Sequence, residues 1–324
     1  SCLVGSEMCI RDRKKTIENI LFFYLVIITN ASALIEIDIT EGNREPLPIA
    51  VTNFFYAEDA IKDLDQISID VSKVISADLE RSGLFKSIDQ EAFIQKTASM
   101  HIRPRHEDWR LINAQALVTG ELEVDNDKLR VEFRLWDTFA EKEIEALVLI
   151  TTIDNWRRIS HMIADKIYER LTGEEGYFDT RILYVSENGP KNNRTKKLAI
   201  MDQDSFNHRY LTSGKELVLT PRFNPVKQEI TYLSYFKNLP RVYLLDIQTG
   251  IQEVVGDFPG MTFAPRFSPD GEKIIMSLAR DGNSDIYVMD IKSRVVERLT
   301  ESPAIDTSPS YSPCLLYTSD AADE

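Results

Sequence analysis

The sequence predicts an α/β amino-terminal domain followed by an all-β propeller. The first domain is indicated by strand patterns that alternate with helical apolar stripes up to residue 172. The propeller is indicated by a motif that recurs every 44 residues in the second half of the chain, with four short strands in a repeat. A chain of 324 residues has room for two such domains, at about 100–200 residues each.

Composition and charge exclude several classes of protein. Hydrophobic residues make up 43% of the chain and charged residues 28%, so the chain is neither disordered nor fibrous. A net charge of −14 argues against nucleic-acid binding, which needs Lys and Arg to neutralise phosphates. The cysteines Cys2, Cys9 and Cys314 all lie near an end. The body of the chain therefore contains no disulfide framework, thiolate zinc site or catalytic cysteine.

Both ends of the chain look foreign to the fold. Residues 1–13 and 314–324 resemble translated sequencing-adapter read-through, and we interpret them as artefactual tails. The alternative at the amino terminus is a genuine region that starts at Met8. Neither tail is used to predict the fold.

Residues 14–33 have the features of a signal peptide. Lys14 and Lys15 precede an apolar run over Ile20–Ile28, which is too short to cross a bilayer but fits a signal core. The small residues of Ala31-Ser32-Ala33 follow, so we expect cleavage after Ala33. The alternatives are a buried strand or a membrane anchor. Export of a chain whose body lacks cysteine is consistent with the periplasm of a Gram-negative bacterium.

The mature chain would begin with a strictly alternating segment inside residues 34–45. Apolar Ile35, Ile37 and Ile39 alternate with polar residues, which is the period of a β-strand. One interpretation is an edge strand of the first domain, and the other is a detachable strand that pairs with the sheet edge of a partner. The pattern favours neither. The residues that would bind a partner are Leu34, Ile35, Glu36, Ile37, Asp38, Ile39 and Thr40.

The α/β domain is predicted over residues 46–172. It should contain strands over Pro48–Phe55 and Leu84–Ile88, a helix carrying Val71–Leu79, three antiparallel strands over Ala116–Val124, Leu129–Asp137 and Glu143–Thr151, and a closing helix over Trp156–Leu171. Gly83 and Gly173 are expected to end the two helices. Three tryptophans, Trp109, Trp136 and Trp156, are interpreted as core or domain-packing residues.

The second half repeats itself every 44 residues. Pro221, Pro265 and Pro309 begin related Pro-x-aromatic-x-Pro motifs, and Asp202, Asp246 and Asp290 end related strands at the same spacing. The partial propeller over 177–313 would contain blades at 177–220, 221–264 and 265–308 and the start of a fourth. A solenoid is the alternative, but four strands with tight polar turns favour a blade. We expect the native chain to be longer, because propellers close into rings of typically four to eight blades.

These stretches together resemble the TolB family of periplasmic proteins. The matching strings are Ile35–Ile39, Pro46–Ala50, Gly83–Lys86, Ala116–Gly120, the domain junction Leu171–Val185, and the blade strings Phe267–Gly271 and Asp285–Asp290. The blade strings alone occur in many propellers, including those of secreted peptidases. Their combination with this junction and a signal peptide is more specific.

The resemblance implies a soluble periplasmic protein with a six-bladed propeller, of which about three blades are present. It implies two partners: the Pal lipoprotein, bound through the propeller, and the C-terminal domain of TolA, bound through Leu34–Thr40. It also implies a role in outer-membrane integrity and in envelope constriction at cell division.

Motifs for catalysis or cofactor binding are missing from the sequence. It contains no G-x-S-x-G, H-E-x-x-H, P-loop or G-x-G-x-x-G string, so we predict no catalytic, cofactor or metal residues. His106-Glu107-Asp108 is interpreted as a solvated loop and Asp281–Asp285 as a blade turn. The leading hypothesis is a non-enzymatic binding protein, and the alternative is the propeller portion of a secreted hydrolase whose catalytic domain is missing.

Overall fold

The structure is a computed structural model that describes residues 35, 37, 45–57, 64–95, 103–236, 239–256, 258, 261–280 and 282–312. Both terminal tails, the predicted signal peptide with its cleavage site at Ala33, and most of the segment 34–40 lie outside the described residues. The chain forms two compact units, residues 1–179 and 180–324.

The first unit is a mixed sheet with helices. Its strands are β1 Leu47–Val51, β2 Phe55–Tyr56, β3 Phe85–Ser87, β4 Ala116–Asp125, β5 Lys128–Asp137 and β6 Lys142–Thr152. Its α-helices are α1 Leu64–Arg81, α2 His106–Leu111 and α3 Trp156–Thr172, and short 3₁₀ turns cover Gln90–Ala92 and Ile153–Asn155. The sheet order is β3-β1-β4-β5-β6, and β2 also pairs with β4. Strand β1 is parallel to β3 and β4, whereas β4, β5 and β6 are antiparallel.

The core of this unit lies between one face of the sheet and helices α1 and α3. The helices contribute residues at helical spacing that are fully buried, namely Val71, Ile75 and Leu79 from α1 and Ile163, Ile167 and Leu171 from α3. Each fully buried side chain of this size stabilises the fold by about 1.5–3 kcal/mol. Gly173 ends α3 with φ of +75°, a conformation that glycine adopts without steric cost.

The three antiparallel strands and both long helices confirm the predicted pattern. The tight turn between β4 and β5 has positive φ at Asn126 and Asp127, as a two-residue hairpin requires. The single strand predicted over Pro48–Phe55 is wrong, because it divides into β1 and β2. At the break, the Thr52 hydroxyl donates to the carbonyl of Val118, and Phe54 turns into the core.

The interpretation of His106-Glu107-Asp108 as a solvated loop is also wrong. His106 begins helix α2 and is buried, with its ring centroid 5.8 Å from that of Trp136. The helix is amphipathic: His106 and Trp109 point inward three residues apart, while Glu107 is exposed. The prediction that Trp109 and Trp136 are core residues is confirmed.

The second unit contains eleven strands among its described residues. They are β7 Arg181–Asn188, β8 Thr195–Asp202, β9 Arg209–Tyr210, β10 Leu217–Phe223, β11 Glu229–Phe236, β12 Leu239–Asp246, β13 Gln252–Gly256, β14 Met261–Phe267, β15 Lys273–Arg280, β16 Asn283–Asp290 and β17 Val296–Arg298. They form three antiparallel sheets, β7-β8-β9, β10-β11-β12-β13 and β14-β15-β16-β17. The described residues 301–312 contain no strand.

The spacing of 44 residues corresponds to one sheet. Asp202, Asp246 and Asp290 are the last residues of β8, β12 and β16, and each of these strands lies between its sequence neighbours in the sheet. The blade boundaries predicted at residues 221 and 265 fall inside β10 and β14. The Pro-Arg-Phe motif forms the second half of each of these strands, close to a register shift in its pairing with the next strand.

Adjacent sheets of the second unit share apolar interfaces. The first cluster joins β7-β8-β9 to the next sheet through Leu198, Ile200, Val218, Ile230, Tyr232, Leu245 and Ile247. The second joins the two four-stranded sheets through Val242, Leu244, Val255, Phe267, Ile274, Met276, Leu278 and Met289. Within the part of the chain that the structure describes, no helix has the length and apolarity needed to cross a membrane.

Candidate functional site

The segment predicted to bind a partner is attached to the first unit at its two described residues. The backbone N–H of Ile35 donates to Oδ2 of Asp137 at 3.1 Å. The backbone N–H of Ile37 donates to the carbonyl of Leu171 at 2.6 Å. The other predicted residues, Leu34, Glu36, Asp38, Ile39 and Thr40, lie outside the described residues.

The alternation in the sequence has a physical counterpart at these two positions. Ile37 is only 9% exposed and belongs to the core of the first unit, and Ile35 is partly buried against the same core. Residues two apart on an extended chain share a face, so both side chains reach the same apolar surface. The isoleucine face that could recognise a partner is therefore already in contact with the core.

Leu171 supplies a backbone acceptor at the end of a helix. It lies in the last turn of α3, where carbonyl groups have no partner within the helix. The N–H of Gly173 satisfies the carbonyl of Glu169, and the N–H of Ile37 satisfies that of Leu171. The amino-terminal segment thus satisfies one of the carbonyl groups in the last turn of α3.

Asp137 supplies a carboxylate at the end of β5. Its side chain is 1% exposed and accepts three backbone N–H bonds. Oδ1 accepts from Phe139 at 2.9 Å and from Ala140 at 2.8 Å, and Oδ2 accepts from Ile35. A buried carboxylate needs such donors, because burying a charge without hydrogen bonds is costly. Asp137 was not among the residues predicted for the site.

The turn after Asp137 is held from the opposite side by two arginines. Arg110 pairs with the Glu141 carboxylate at 2.8 Å, and Arg103 donates to the Glu141 carbonyl at 2.9 Å. The hydrogen bond from Arg110 lowers the pKa of Glu141 below its usual value. Thr138 is fully buried, and its hydroxyl donates to the carbonyl of Ala114 at 2.5 Å. These hydrogen bonds fix the turn that follows Asp137, the residue to which the segment is attached.

A second carboxylate, Asp165, holds the chain that follows α3. Its two oxygens accept the N–H groups of Phe178 at 2.6 Å and Asp179 at 3.0 Å. Burial raises the pKa of Asp165, and these two bonds partly oppose that rise. Phe178 is fully buried in the core of the first unit. The sequence Gly173–Asp179, which resembles the family junction, thus packs back on α3.

Several other polar side chains form pairs among the described residues of the first unit. His161 Nδ1 lies 2.5 Å from Asp78 Oδ2, and both side chains are buried. A cleft of about 630 Å³ on the open face of the sheet is lined by charged residues that include Arg134 and Glu132. These two residues pair at 2.8 Å, which is typical of a solvated sheet face.

Two family models match the chain. The model described as the TolB amino-terminal domain matches residues 35–144. The model described as the TolB beta propeller domain matches residues 168–323. The two matches cover both structural units.

Curated relatives match across the same units. The Tol-Pal system protein TolB of Pelagibacter ubique is 60% identical over 251 residues, which cover 76% of this chain and 56% of that protein. The Tol-Pal system protein TolB of Paramagnetospirillum magneticum is 56% identical over 234 residues, 72% of this chain and 52% of that protein. The chain thus spans about half the length of these relatives.

A solved structure has the same fold. The crystal structure of TolB from Acinetobacter baumannii superposes with a TM-score of 0.68 at 30% identity, over 81% of this chain and 62% of that one. Two matching family models, two curated relatives above 50% identity and this superposition all lead to one assignment. The chain belongs to the TolB family.

Proposed function

We propose that this chain is part of a non-enzymatic binding protein of the Tol-Pal system, which links TolA and Pal in the periplasm. In this role it maintains outer-membrane integrity and supports envelope constriction at cell division. Both curated relatives are Tol-Pal system proteins, which supports a Tol-Pal role. The match to the TolB amino-terminal model favours this role over the propeller portion of a secreted hydrolase.

The proposed binding element for TolA is the segment Leu34–Thr40. An extended segment with apolar residues on one face can add a strand to the sheet edge of a partner. Main-chain hydrogen bonds supply affinity in this mode, and the isoleucine side chains supply selectivity. The observation that carries the proposal is the attachment of Ile35 and Ile37 through backbone N–H groups, the groups that a partner strand would use.

The attached and partner-bound forms of the segment exclude each other. Ile37 is buried in the first unit, and full burial of an isoleucine is worth about 1.5–3 kcal/mol. A partner must replace this burial and the hydrogen bonds of both isoleucine N–H groups. Binding of TolA then shifts the segment from the attached form to the free form. Any second ligand that prefers one of these two forms changes the affinity of the protein for TolA.

Pal is proposed to bind the propeller and to act on this equilibrium by favouring one of the two forms. The chain carries three sheets of the propeller unit and spans about half of the length of its relatives. The proposed binding of Pal therefore applies to the full-length protein. By reciprocity, TolA must change the affinity for Pal by the same factor.

The test is titration calorimetry of the full-length protein against the C-terminal domain of TolA. Deletion of residues 34–40 should abolish TolA binding and leave the fold of the protein and its binding of Pal largely intact, although loss of the buried Ile37 should lower the thermal stability. Ile37→Ser should weaken TolA binding at least tenfold. The matched control is Ile150→Ser, because Ile150 is 65% exposed on β6 and should not affect TolA. Unchanged TolA affinity after the deletion would return the segment to the role of a structural edge strand.

A further inference from the structure

We propose that Asp137 is the positioning residue that couples the amino-terminal segment to the turn between β5 and β6. The inference rests on the proposed function, because it names the residue that regulates release of the same segment. One buried carboxylate serves two parts of the chain that are 102 residues apart. Oδ1 stabilises the turn, and Oδ2 holds the segment through Ile35.

The two carboxylate oxygens of Asp137 have different roles, because they accept hydrogen bonds from different parts of the chain. Two N–H groups of the turn, from Phe139 and Ala140, converge on Oδ1 at 2.9 and 2.8 Å. Oδ2 receives the N–H of Ile35 at 3.1 Å. A carboxylate offers about four acceptor positions, whereas an amide offers one acceptor oxygen and an NH₂ that only donates. Replacing Asp137 by Asn therefore keeps an acceptor for the turn and places a donor against the N–H of Ile35.

The support of Asp137 keeps its carboxylate in place. Thr138 is fully buried; its N–H donates to the carbonyl of Gln115 at 3.1 Å, and its hydroxyl donates to the carbonyl of Ala114 at 2.5 Å. Arg110 bonds to the carboxylate of Glu141 at the far end of the turn. An acceptor on a support of this kind is already oriented when the segment returns, so reattachment needs little rearrangement.

Loss of the bond between Ile35 and Asp137 should change how often the segment opens, which can be measured. Hydrogen bonds to a charged acceptor contribute more than neutral ones, so loss of the Ile35 bond should open the segment about ten to a hundred times more often. The second attachment, from Ile37 to Leu171, remains in place, but it is then the bond nearest to the free end of the segment. Its protection against exchange should therefore fall as well. The turn should keep its protection, because Oδ1 has a replacement in Asn.

The experiment is amide hydrogen exchange by NMR on the full chain, with ¹⁵N-labelled isoleucine, phenylalanine and alanine. Asp137→Asn should speed exchange at Ile35 and Ile37 at least tenfold and leave Phe139 and Ala140 protected. Asp125→Asn is the matched control, because Asp125 ends the neighbouring strand β4 and bonds only locally to Asn126 among the contacts described. A folded Asp137→Asn protein with wild-type exchange at Ile35 and Ile37 would overturn the proposal.

A second variant approaches the same bond from the other side. Ile35→Pro removes the N–H donor and leaves Asp137 untouched, and it should accelerate exchange at Ile37 to a similar extent. The double variant should add little to either single variant, because both remove one interaction. Additive effects would overturn the coupling. If Asp137→Asn did not fold, the Ile35→Pro protein would still decide the question, because unchanged exchange at Ile37 would count against the bond.

TolA binding separates this inference from the proposed function. If both hold, Asp137→Asn should tighten binding of the TolA C-terminal domain by the factor by which it opens the segment. Faster exchange with unchanged TolA affinity would support the Asp137 coupling and contradict the TolA role. Unchanged exchange together with loss of TolA binding on deletion of residues 34–40 would support the TolA role and contradict the coupling.

Discussion

Asn224 of one propeller sheet donates from Nδ2 to the carbonyl of Gly271 in the next sheet, at 3.1 Å. The same side chain accepts the N–H groups of Val226 and Lys227 through Oδ1, so it ties its own turn to the neighbouring one. Gly271 has φ of +70°, and a Cβ there would lie 2.2 Å from Oδ1 of Asn224. This position needs glycine both for its backbone conformation and for the close approach.

Gly271→Ala should therefore destabilise the propeller unit by more than the cost of placing an alanine in a left-handed conformation. Such a conformation costs a non-glycine residue about 1–2 kcal/mol, and the forced displacement of Asn224 should add about 1–3 kcal/mol. Gly250→Ala is the control, because Gly250 has φ of +71° and open space around its missing Cβ. Urea denaturation measures both variants. Equal losses of stability would show that Asn224 moves aside without cost.

His106→Leu should reduce the loss of stability in weak acid. Burial lowers the pKa of His106 below 6.5, despite the opposing influence of Glu141. The unfolded chain therefore binds a proton at this histidine more readily than the folded chain does. Stability should fall as the pH drops below about 6.5, and the Leu variant should fall less steeply over the same range. His208→Leu, at an exposed position, is the control. Thermal unfolding between pH 7.5 and 5 gives both slopes, and parallel slopes for wild type and His106→Leu would contradict this assignment.

Asp165→Ala should loosen the chain between α3 and the second unit. It removes the acceptors of Phe178 and Asp179, and we expect a loss of about 3–6 kcal/mol, because each of the two bonds to a charged acceptor is worth about 1.5–3 kcal/mol. Asp165→Asn retains one acceptor oxygen and should lose less. Limited proteolysis should show faster cleavage near Tyr177 in the Ala variant. The exposed Asp154 provides a control substitution to Ala. If Asp165→Ala showed the proteolysis rate and the stability of the wild type, Asp165 would not be the residue that holds the chain after α3.

Expression in a Gram-negative host from a native start should yield a periplasmic protein that begins at Leu34. The expectation follows from the basic, apolar and Ala-x-Ala parts of residues 14–33. Amino-terminal sequencing checks it. Replacing Ala33 by a bulky residue such as Leu should leave the leader attached, whereas Ser32→Leu, at the tolerant middle position, should still be processed. A cytoplasmic product that retains residues 14–33 would contradict the export proposal.

Local patterns predicted the parts of the fold that depend on local physics. The alternation in β5 and the helical stripe of α3 appear in the structure with nearly the predicted bounds, because burial of one face determines both patterns. The repeat of 44 residues predicted the sheets of the second unit for the same reason, since each copy faces the same environment.

The candidate site could be predicted only in part. The isoleucines at 35 and 37 were identified from their alternation, but their acceptors were not. Asp137 was predicted only as the last residue of a strand, and its bond to Ile35 spans 102 positions. Leu171 contributes a backbone carbonyl, for which no side-chain pattern exists. His106 was misplaced because three polar residues in a row suggested solvent, whereas a short helix turns one of them inward.

The two attachments of the amino-terminal segment also determine how it would respond to mechanical force. A pull from the amino-terminal side reaches the bond of Ile35 to Asp137 before that of Ile37 to Leu171. The segment would then peel away one bond at a time, instead of shearing several bonds together as two paired strands do when pulled along their length. Peeling needs little force, so a partner that drew on this end could free the segment while the ladder of β4, β5 and β6 remained intact.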